Sequence, residues 1–474
     1  HFDVLRRSFA KVSDDQRIQA VIVAFSFGAL LEALAGFGTP VAITSVMLIA
    51  LGFKPIKAAV VALVANTAPV AFGALAVPIT TLATVSQLPE HTLAQMVGRQ
   101  TPLLGVFVPM ALVFIIDKGR GVRETLPATL TCGVTFGVAQ YVTSNFISTQ
   151  LTDIVASLVS AASVVLLLRF WQPSGRYVEA EEQGTTESAV AGPATDGTRA
   201  RNVDPKDSVG SGQAGRSDLA VRDAEAHDSR GDIIKAYAPY VVIIVVFAVT
   251  QLPFLKSLLD TPTKSFQWPG LHLQDSSGKP SSIPTFKFNW LAAAGTLMVI
   301  SGLITIPILK ITPRQAFQAY LDTYRQLAAA IVTVMAVLGL AYVMNASGET
   351  ASLGTWMAAA GGAFAIISPL LGWIGVAVTG SDTSSNSLFG ALQVQAAHQT
   401  GLNPVLLAAA NSSGGVLGKM ISPQNLAIAA AAVGMSGREG DIFRKVLAWS
   451  LAFVAFMCVV VFLQSTPVLS WMVP

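Results

Sequence analysis

Apolar stretches about as long as a bilayer is thick recur along this chain, separated by short polar or basic segments. A hydrocarbon core of roughly 30 Å takes about twenty residues of helix. The pattern predicts spans at 102–116, 126–146, 154–170, 233–252, 290–308, 327–344 and 449–463. Four further runs are apolar but interrupted. Gly36, Phe37, Gly38, Thr39 and Pro40 break 18–51, and Asn66, Thr67, Ala68, Pro69 and Pro78 break 58–85. A polar tip at 380–386 divides 356–398, and a Gly pair with Pro423 divides 404–433. Proline removes a backbone donor and glycine loosens a helix. The first and third runs therefore read as two arms joined at a tip, either spanning or re-entrant. Polar groups and helix breakers at membrane depth persist only where they face protein or a water-filled cavity. Residues 380–434, rich in Ala and Leu yet carrying Asp382, Asn386, Asn411 and Lys419, thus read as the wall of a pathway.

The polar segments set orientation. Residues 1–17, with Arg6, Arg7, Lys11 and Arg17, read as an interfacial amphipathic segment. Basic residues in short loops mark the cytoplasmic side, which places Lys54 and Lys57, 118–123, 310–325 and 438–445 inside. The polar loops 88–101, 253–288 and 401–403 then fall outside. Residues 172–231 are rich in Gly, Ser, Asp, Glu and Arg and poor in aromatics. Such a segment buries too little apolar surface to offset its ordering entropy, so a disordered cytoplasmic linker is expected. The chain begins at His1 without a signal-peptide pattern, and upstream residues are expected to be missing.

Composition narrows the class. Of 474 residues, 52% are hydrophobic and 12% charged, against about 25% charged in soluble domains; the mean hydropathy is +0.59. A polytopic all-α membrane protein follows. The formal net charge of +3 says little about partners, and nucleic acid is not expected among them. Cys132 and Cys458 lie in apolar helices and suggest neither a disulfide nor a metal site. No CxxC, HExxH or phosphate-binding G-x-x-x-x-G-K pattern occurs, which argues against an ATP-driven pump, and no cofactor or metal is expected.

Two of the broken runs resemble each other. Asn66, Thr67, Gly73 and Pro78 keep the offsets of Asn411, Ser412, Gly418 and Pro423, and Gly52 and Pro55 match Gly401 and Pro404. Gly36 to Pro40 takes the place of Gly380 to Ser384, across a four-residue gap. The first unit's hairpin enters from inside and the second's from outside, as in the inverted repeats of secondary transporters, whose broken helices meet at the midplane. The expected architecture is a helical bundle with two inverted repeats, re-entrant hairpins and broken helices. Its first repeat is 18–171, its connecting helices with an outer loop are 232–326, and its second repeat is 327–474.

Gly28 to Ile43, reading GALLEALAGFGTPVAI, together with Gly380 to Asn386 and Ala410 to Asn425, resembles the lactate permease family of prokaryotes. The resemblance covers most of the chain outside 172–231. It implies import of L-lactate, often also D-lactate and glycolate, by proton symport across the plasma membrane. It also implies kinship with ion transporters whose broken helices hold carboxylates. This chain departs from the family in starting late and in the length and acidity of 172–231.

A 2-hydroxy acid needs donors, one positive centre and a small apolar wall. Thr39, Asn66, Thr67, Ser384, Ser385, Asn386, Asn411, Ser412 and Ser413 supply donors around the breaks, or simply satisfy freed helix ends. Gln424 and Asn425 follow Pro423, where the first unit has the less polar Ile79 and Thr80, so the second unit is expected to dominate recognition. Lys419 stands alone as a Lys or Arg deep within a repeat, where a charge costs at least ~2.5–3.5 kcal/mol. It either attracts the substrate carboxylate or pairs with Asp382. Asp382 and Glu32 are the candidate proton carriers, because burial favours the neutral form of a carboxylate; Glu32 serves equally as a structural partner. His398 lies beside an outer loop and suggests a surface role. The alternative within transport is sodium-coupled dicarboxylate uptake; an intramembrane enzyme and a passive channel are the rivals from other classes. Lactate, protons and the bilayer are the expected partners, and self-association into a homo-oligomer is compatible with the sequence.

Overall fold

A computed structural model describes residues 12–36, 38–179, 230–250, 252–274 and 284–474. Residues 1–11, Phe37 at the first tip and most of 172–231 lie outside this range. The described residues are overwhelmingly helical, with apolar helices throughout, as a helical membrane protein requires.

The chain opens with α1 (Gln16–Leu34), which runs through a π-helical stretch at Val21–Phe27. Gly36 and Gly38 then take positive φ angles of 61° and 80°. These open the tip, and α2 (Thr39–Ala50) returns with Pro40 in its first turn, where its missing donor costs nothing. Helix α3 (Pro55–Ala65) stops at Asn66, an irregular stretch follows, and α4 (Val77–Ser86) restarts with Pro78 in its first turn. Helix α5 (Glu90–Val142) is broken at Asp117 and Lys118. Its two arms pack on each other through small residues: a side chain at Gly133 would strike the backbone of Val106, and one at Gly137 that of Pro102. Helix α6 (Thr152–Leu167) packs on α5 and α1.

Helix α7 (Arg230–Thr250) and α8 (Pro253–Asp260) lead to a hairpin of β1 (Lys264–Gln267) and β2 (Thr285–Phe288), paired antiparallel with Phe266 opposite Phe286. Then come α9 (Ala294–Leu309), α10 (Pro313–Ser347) and α11 (Glu349–Met357). Helices α12 (Phe364–Thr379) and α13 (Asp382–Thr400) flank a tip at Gly380, whose φ is 74°. The fold closes with α14 (Pro404–Gly418), a 3₁₀ turn at Lys419–Ile421, α15 (Pro423–Ala432) and α16 (Glu439–Gln464). One apolar cluster joins α1–α6 to α12–α16. Helices α7 and α9 add smaller clusters at the edge, and α10 leaves Val332, Met335 and Val343 exposed.

Several expectations need correction. Residues 90–101, expected as an outer loop, are the first turns of α5. No breaker separates Glu90 from Pro102, and the polar side chains find partners: Gln100 donates to Gln464 at 3.0 Å and Thr101 to Gln140 at 3.1 Å. Residues 313–325 and most of 345–354 are likewise helical; Thr312 caps α10 through a reciprocal pair with Gln315. The outer loop 253–288 holds α8 and the hairpin. Arg17 is not interfacial but buried, bonded to Asp15 at 2.7 Å and to Asp117 and Glu124 at 2.8 Å. It also donates to the Gly175 carbonyl at 2.6 Å, and Glu179 pairs with Lys57 at 2.8 Å. The first eight residues of the expected linker are therefore held against the bundle.

Candidate functional site

Both tips and two helix starts meet around one cavity of about 60 Å³, lined among others by Glu32, Gly36, Val77, Asp382, Thr383 and Lys419. Each lining group arrives for a local reason. Glu32 sits on the last turn of α1, just before Gly36 ends that helix. The starts of α4 and α13 turn the positive ends of their dipoles toward the cavity, and α13 adds the first N–H groups, at Asp382 and Thr383, ahead of the Ser384 N–H that Ser381 caps. Lys419 is delivered by the 3₁₀ turn after α14. The first tip also touches the second half directly. A side chain at Gly38 would strike Ile428 and lie 3.2 Å from the Asn425 side chain; within the second half, one at Gly380 would lie 2.5 Å from the Gln424 side chain.

Lys419 donates to Glu32 at 2.6 Å, and both side chains are buried. This corrects the expected partner: the ammonium pairs across the halves with Glu32, not with Asp382. The sequence could not distinguish the two, because a pairing between residues 387 positions apart depends on how the units dock. Asp382 instead takes hydrogen bonds at Oδ2 from Ser412 at 2.6 Å and Asn386 at 3.0 Å. Its Oδ1 and the Oε2 of Glu32 have no hydrogen-bond partner, although both are buried. One ammonium thus stands against two carboxylates.

Around Asp382 lies a connected amide network. Asn411 donates to Asn386 at 2.9 Å and to Ser385 at 3.5 Å, and Asn386 donates to the Pro78 carbonyl at 3.3 Å. Ser385 donates to the Gly372 carbonyl, and Gln393 donates to Asn411 at 3.3 Å. The network brings together Asp382, Ser385, Asn386, Asn411 and Ser412. Ser413 points elsewhere and donates to Gln100 at 2.7 Å. Ser384 is buried with its hydroxyl unpartnered. Asn425 is buried and donates to Ser422 and to the Lys419 carbonyl.

Other expected donors fall outside this group. Thr39 and Gln424 are exposed. Thr67 donates to Val64 in its own helix, so it satisfies a helix end. Asn66 is buried with neither amide atom partnered. His398 lies on the exposed part of α13. Sequence reasoning missed Gln100, Gln393, Ser381 and Asp153. Their signal was an amide, hydroxyl or carboxylate inside or beside an apolar run, which 90–101 obscured by reading as a loop. Among the described residues no group of three or more His, Cys, Asp or Glu side chains is placed to hold a metal ion.

A helical membrane protein with a buried, charged and amide-lined centre is the architecture of a solute carrier. Residues 1–468 match the family described as L-lactate permease, and the chain belongs to that family. It is 39% identical to the L-lactate permease of Bacillus subtilis (strain 168) over all of this chain and 82% of that protein. It is likewise 39% identical to the L-lactate permease of Escherichia coli (strain K12), with the same coverage. The glycolate permease of Escherichia coli (strain K12) is 41% identical over 98% of this chain and 81% of that protein. No solved structure matches the chain.

Proposed function

We propose that the protein imports lactate and related 2-hydroxy monocarboxylates such as glycolate, together with protons, across the plasma membrane. The observation that carries the proposal is the charge balance of the central cavity, where Lys419 offsets only one of Glu32 and Asp382. With both carboxylates ionised the cavity holds one excess negative charge and repels a further anion, strongly so in a low dielectric. Protonating Asp382 removes that excess. A bound proton and a bound lactate therefore favour each other, which is the reciprocal coupling that symport needs. The helix start at Asp382 then offers N–H groups to the substrate carboxylate, the start at Val77 adds its dipole, and Ser385, Asn386, Asn411 and Ser412 supply polar contacts for its hydroxyl. Lys419 leaves Glu32 for the substrate when Glu32 in turn takes a proton. The names of the relatives favour a monocarboxylate over a dicarboxylate, and a carrier over an enzyme.

The two interrupted units, 18–171 and 327–474, act as inverted repeats and move against each other, with 172–231 joining them on the cytoplasmic side. The direct meeting of Gly38 with Asn425, and of Glu32 with Lys419, supports this reading. The test is radiolabelled lactate uptake in proteoliposomes with the pH and sodium gradients varied separately. An alkaline interior should drive accumulation and a sodium gradient should not; Asp382→Asn should lose the response to pH. Accumulation driven by sodium alone, or mere equilibration of lactate, would overturn the proposal.

A further inference from the structure

Besides Asp15, which is paired with Arg17, one more buried carboxylate lies outside the central cavity. Asp153 stands in the first turn of α6 and is 1% exposed. Its Oδ1 accepts from Gln140 Nε2 at 2.8 Å, and Gln140 accepts from Thr101. Its Oδ2 is buried with no hydrogen-bond partner, and no cation pairs with it among the described residues. An isolated carboxylate cannot stay charged in such a place without a large desolvation cost.

Its surroundings give it a direction. Just before it, Ser148, Thr149 and Gln150 line a vestibule of about 730 Å³ that also reaches Val77, a lining residue of the central cavity. On its other side, α6 packs against α1, where Ile154, next to Asp153, shares an apolar cluster with Ala33 and Leu34, next to Glu32. Glu32 and Asp382 in turn line the same cavity. The titratable groups facing this line are Asp153 on α6, Glu32 on α1, and Asp382 and Lys419 from the second half; α5 contributes the neutral Gln140, and the vestibule itself carries Glu90, His91, Lys256, Asp260 and Lys287.

We infer that Asp153 is the relay through which protons pass from the vestibule to Glu32, resting on the reading of the protein as a proton-coupled carrier. Asp153 rests protonated on its free Oδ2, passes that proton to the free Oε2 of Glu32, and at once takes a fresh proton on Oδ2 from the vestibule. Gln140 holds the carboxyl in place through Oδ1 and is a positioning residue.

The experiment compares two readouts of the full chain in proteoliposomes: lactate accumulation driven by a pH gradient, and exchange of external for internal lactate, which moves no net proton. Asp153→Asn keeps the acceptor for Gln140. It should reduce pH-driven accumulation at least tenfold while exchange stays within about twofold of the native protein. Asp153→Glu restores an acid and should recover accumulation with a displaced pH midpoint. Native accumulation by Asp153→Asn, equal loss of accumulation and exchange, or a native pH profile in Asp153→Glu would each overturn the relay. Should Asp153→Asn fail to fold, the pH profile of Asp153→Glu decides alone. If the native protein itself shows no pH-driven uptake, the carrier reading fails instead, so the two failures are distinguishable.

Discussion

The two interrupted runs 58–85 and 404–432 share Asn, hydroxyl, Gly and Pro at common offsets, yet they break in different places and by different means. In the first, the helix ends at Ala65 and the chain unwinds from Asn66 onward. Gly73 adopts φ 52° and ψ −152°, and Leu75 and Ala76 both take positive φ. Such conformations cost about 1–3 kcal/mol each in non-glycine residues. In the second, α14 runs unbroken past Asn411 and the Gly414–Gly415 pair to Gly418, and only a 3₁₀ turn separates it from α15. The first break thus stores backbone strain around an unpartnered Asn66. The second stores almost none, and invests instead in a side-chain network. The same motif can serve as a bend or as an acceptor shelf, according to whether its glycine turns left-handed against its own segment, as Gly73 does, or lies against the backbone of a neighbouring helix, as Gly418 does.

The sharpest way to break this comparison is to cut the one ion pair that spans it. Lys419→Met leaves Glu32 buried without its cation. It should cost about 3–5 kcal/mol, the typical penalty for orphaning a buried charge, and should abolish uptake. Thermal unfolding in detergent would show this as a lowered midpoint, with Glu32→Gln added to Lys419→Met restoring most of the stability. A smaller effect is expected from Gly418→Ala, because its methyl would meet the Trp373 carbonyl and lie 2.8 Å from the Ala377 nitrogen. Overpacking of this kind costs about 1–3 kcal/mol; a neutral result would show that α14 has room to move away from α12. The smallest stability change should come from Asn66→Ala, read against its counterpart Asn411→Ala. Removing Asn411 strands Asn386 and Gln393 and should lower stability by about 1–3 kcal/mol. Removing Asn66 discards two unpartnered polar atoms and should be neutral or stabilising. A lowered lactate uptake in Asn66→Ala at unchanged stability would make that residue a ligand rather than a relic.

What the residues revealed beforehand was mainly where the backbone must bend. Gly36, Gly38 and Gly380 announced tips because only glycine takes positive φ without strain, and Pro40, Pro78 and Pro423 announced breaks; each stands in the first turn of the helix after its break, where a proline loses no bond. The misreadings came from features whose meaning is tertiary. Gly414 and Gly415 looked like breakers, but in an apolar helix small residues also mark close contact with a neighbour. Gln100, Thr101 and Arg99 looked like loop because their partners, Gln464, Gln140 and Asn145, lie on other segments. The choice of Glu32 over Asp382 as the partner of Lys419 was invisible for the same reason.

The glycine contacts between α12 and α14 have a mechanical meaning. Gly372 faces the backbone of Asn411, Gly414 that of Pro369 and Gly418 that of Trp373. Two rods that touch through their main chains at three successive levels cannot slide past one another, so they must travel as a single plate. Helix α13, set between the left-handed joints Gly380 and Gly401, joins that plate differently: through side chains, with Ser385, Asn386, Gln393 and Asp382 making the bonds.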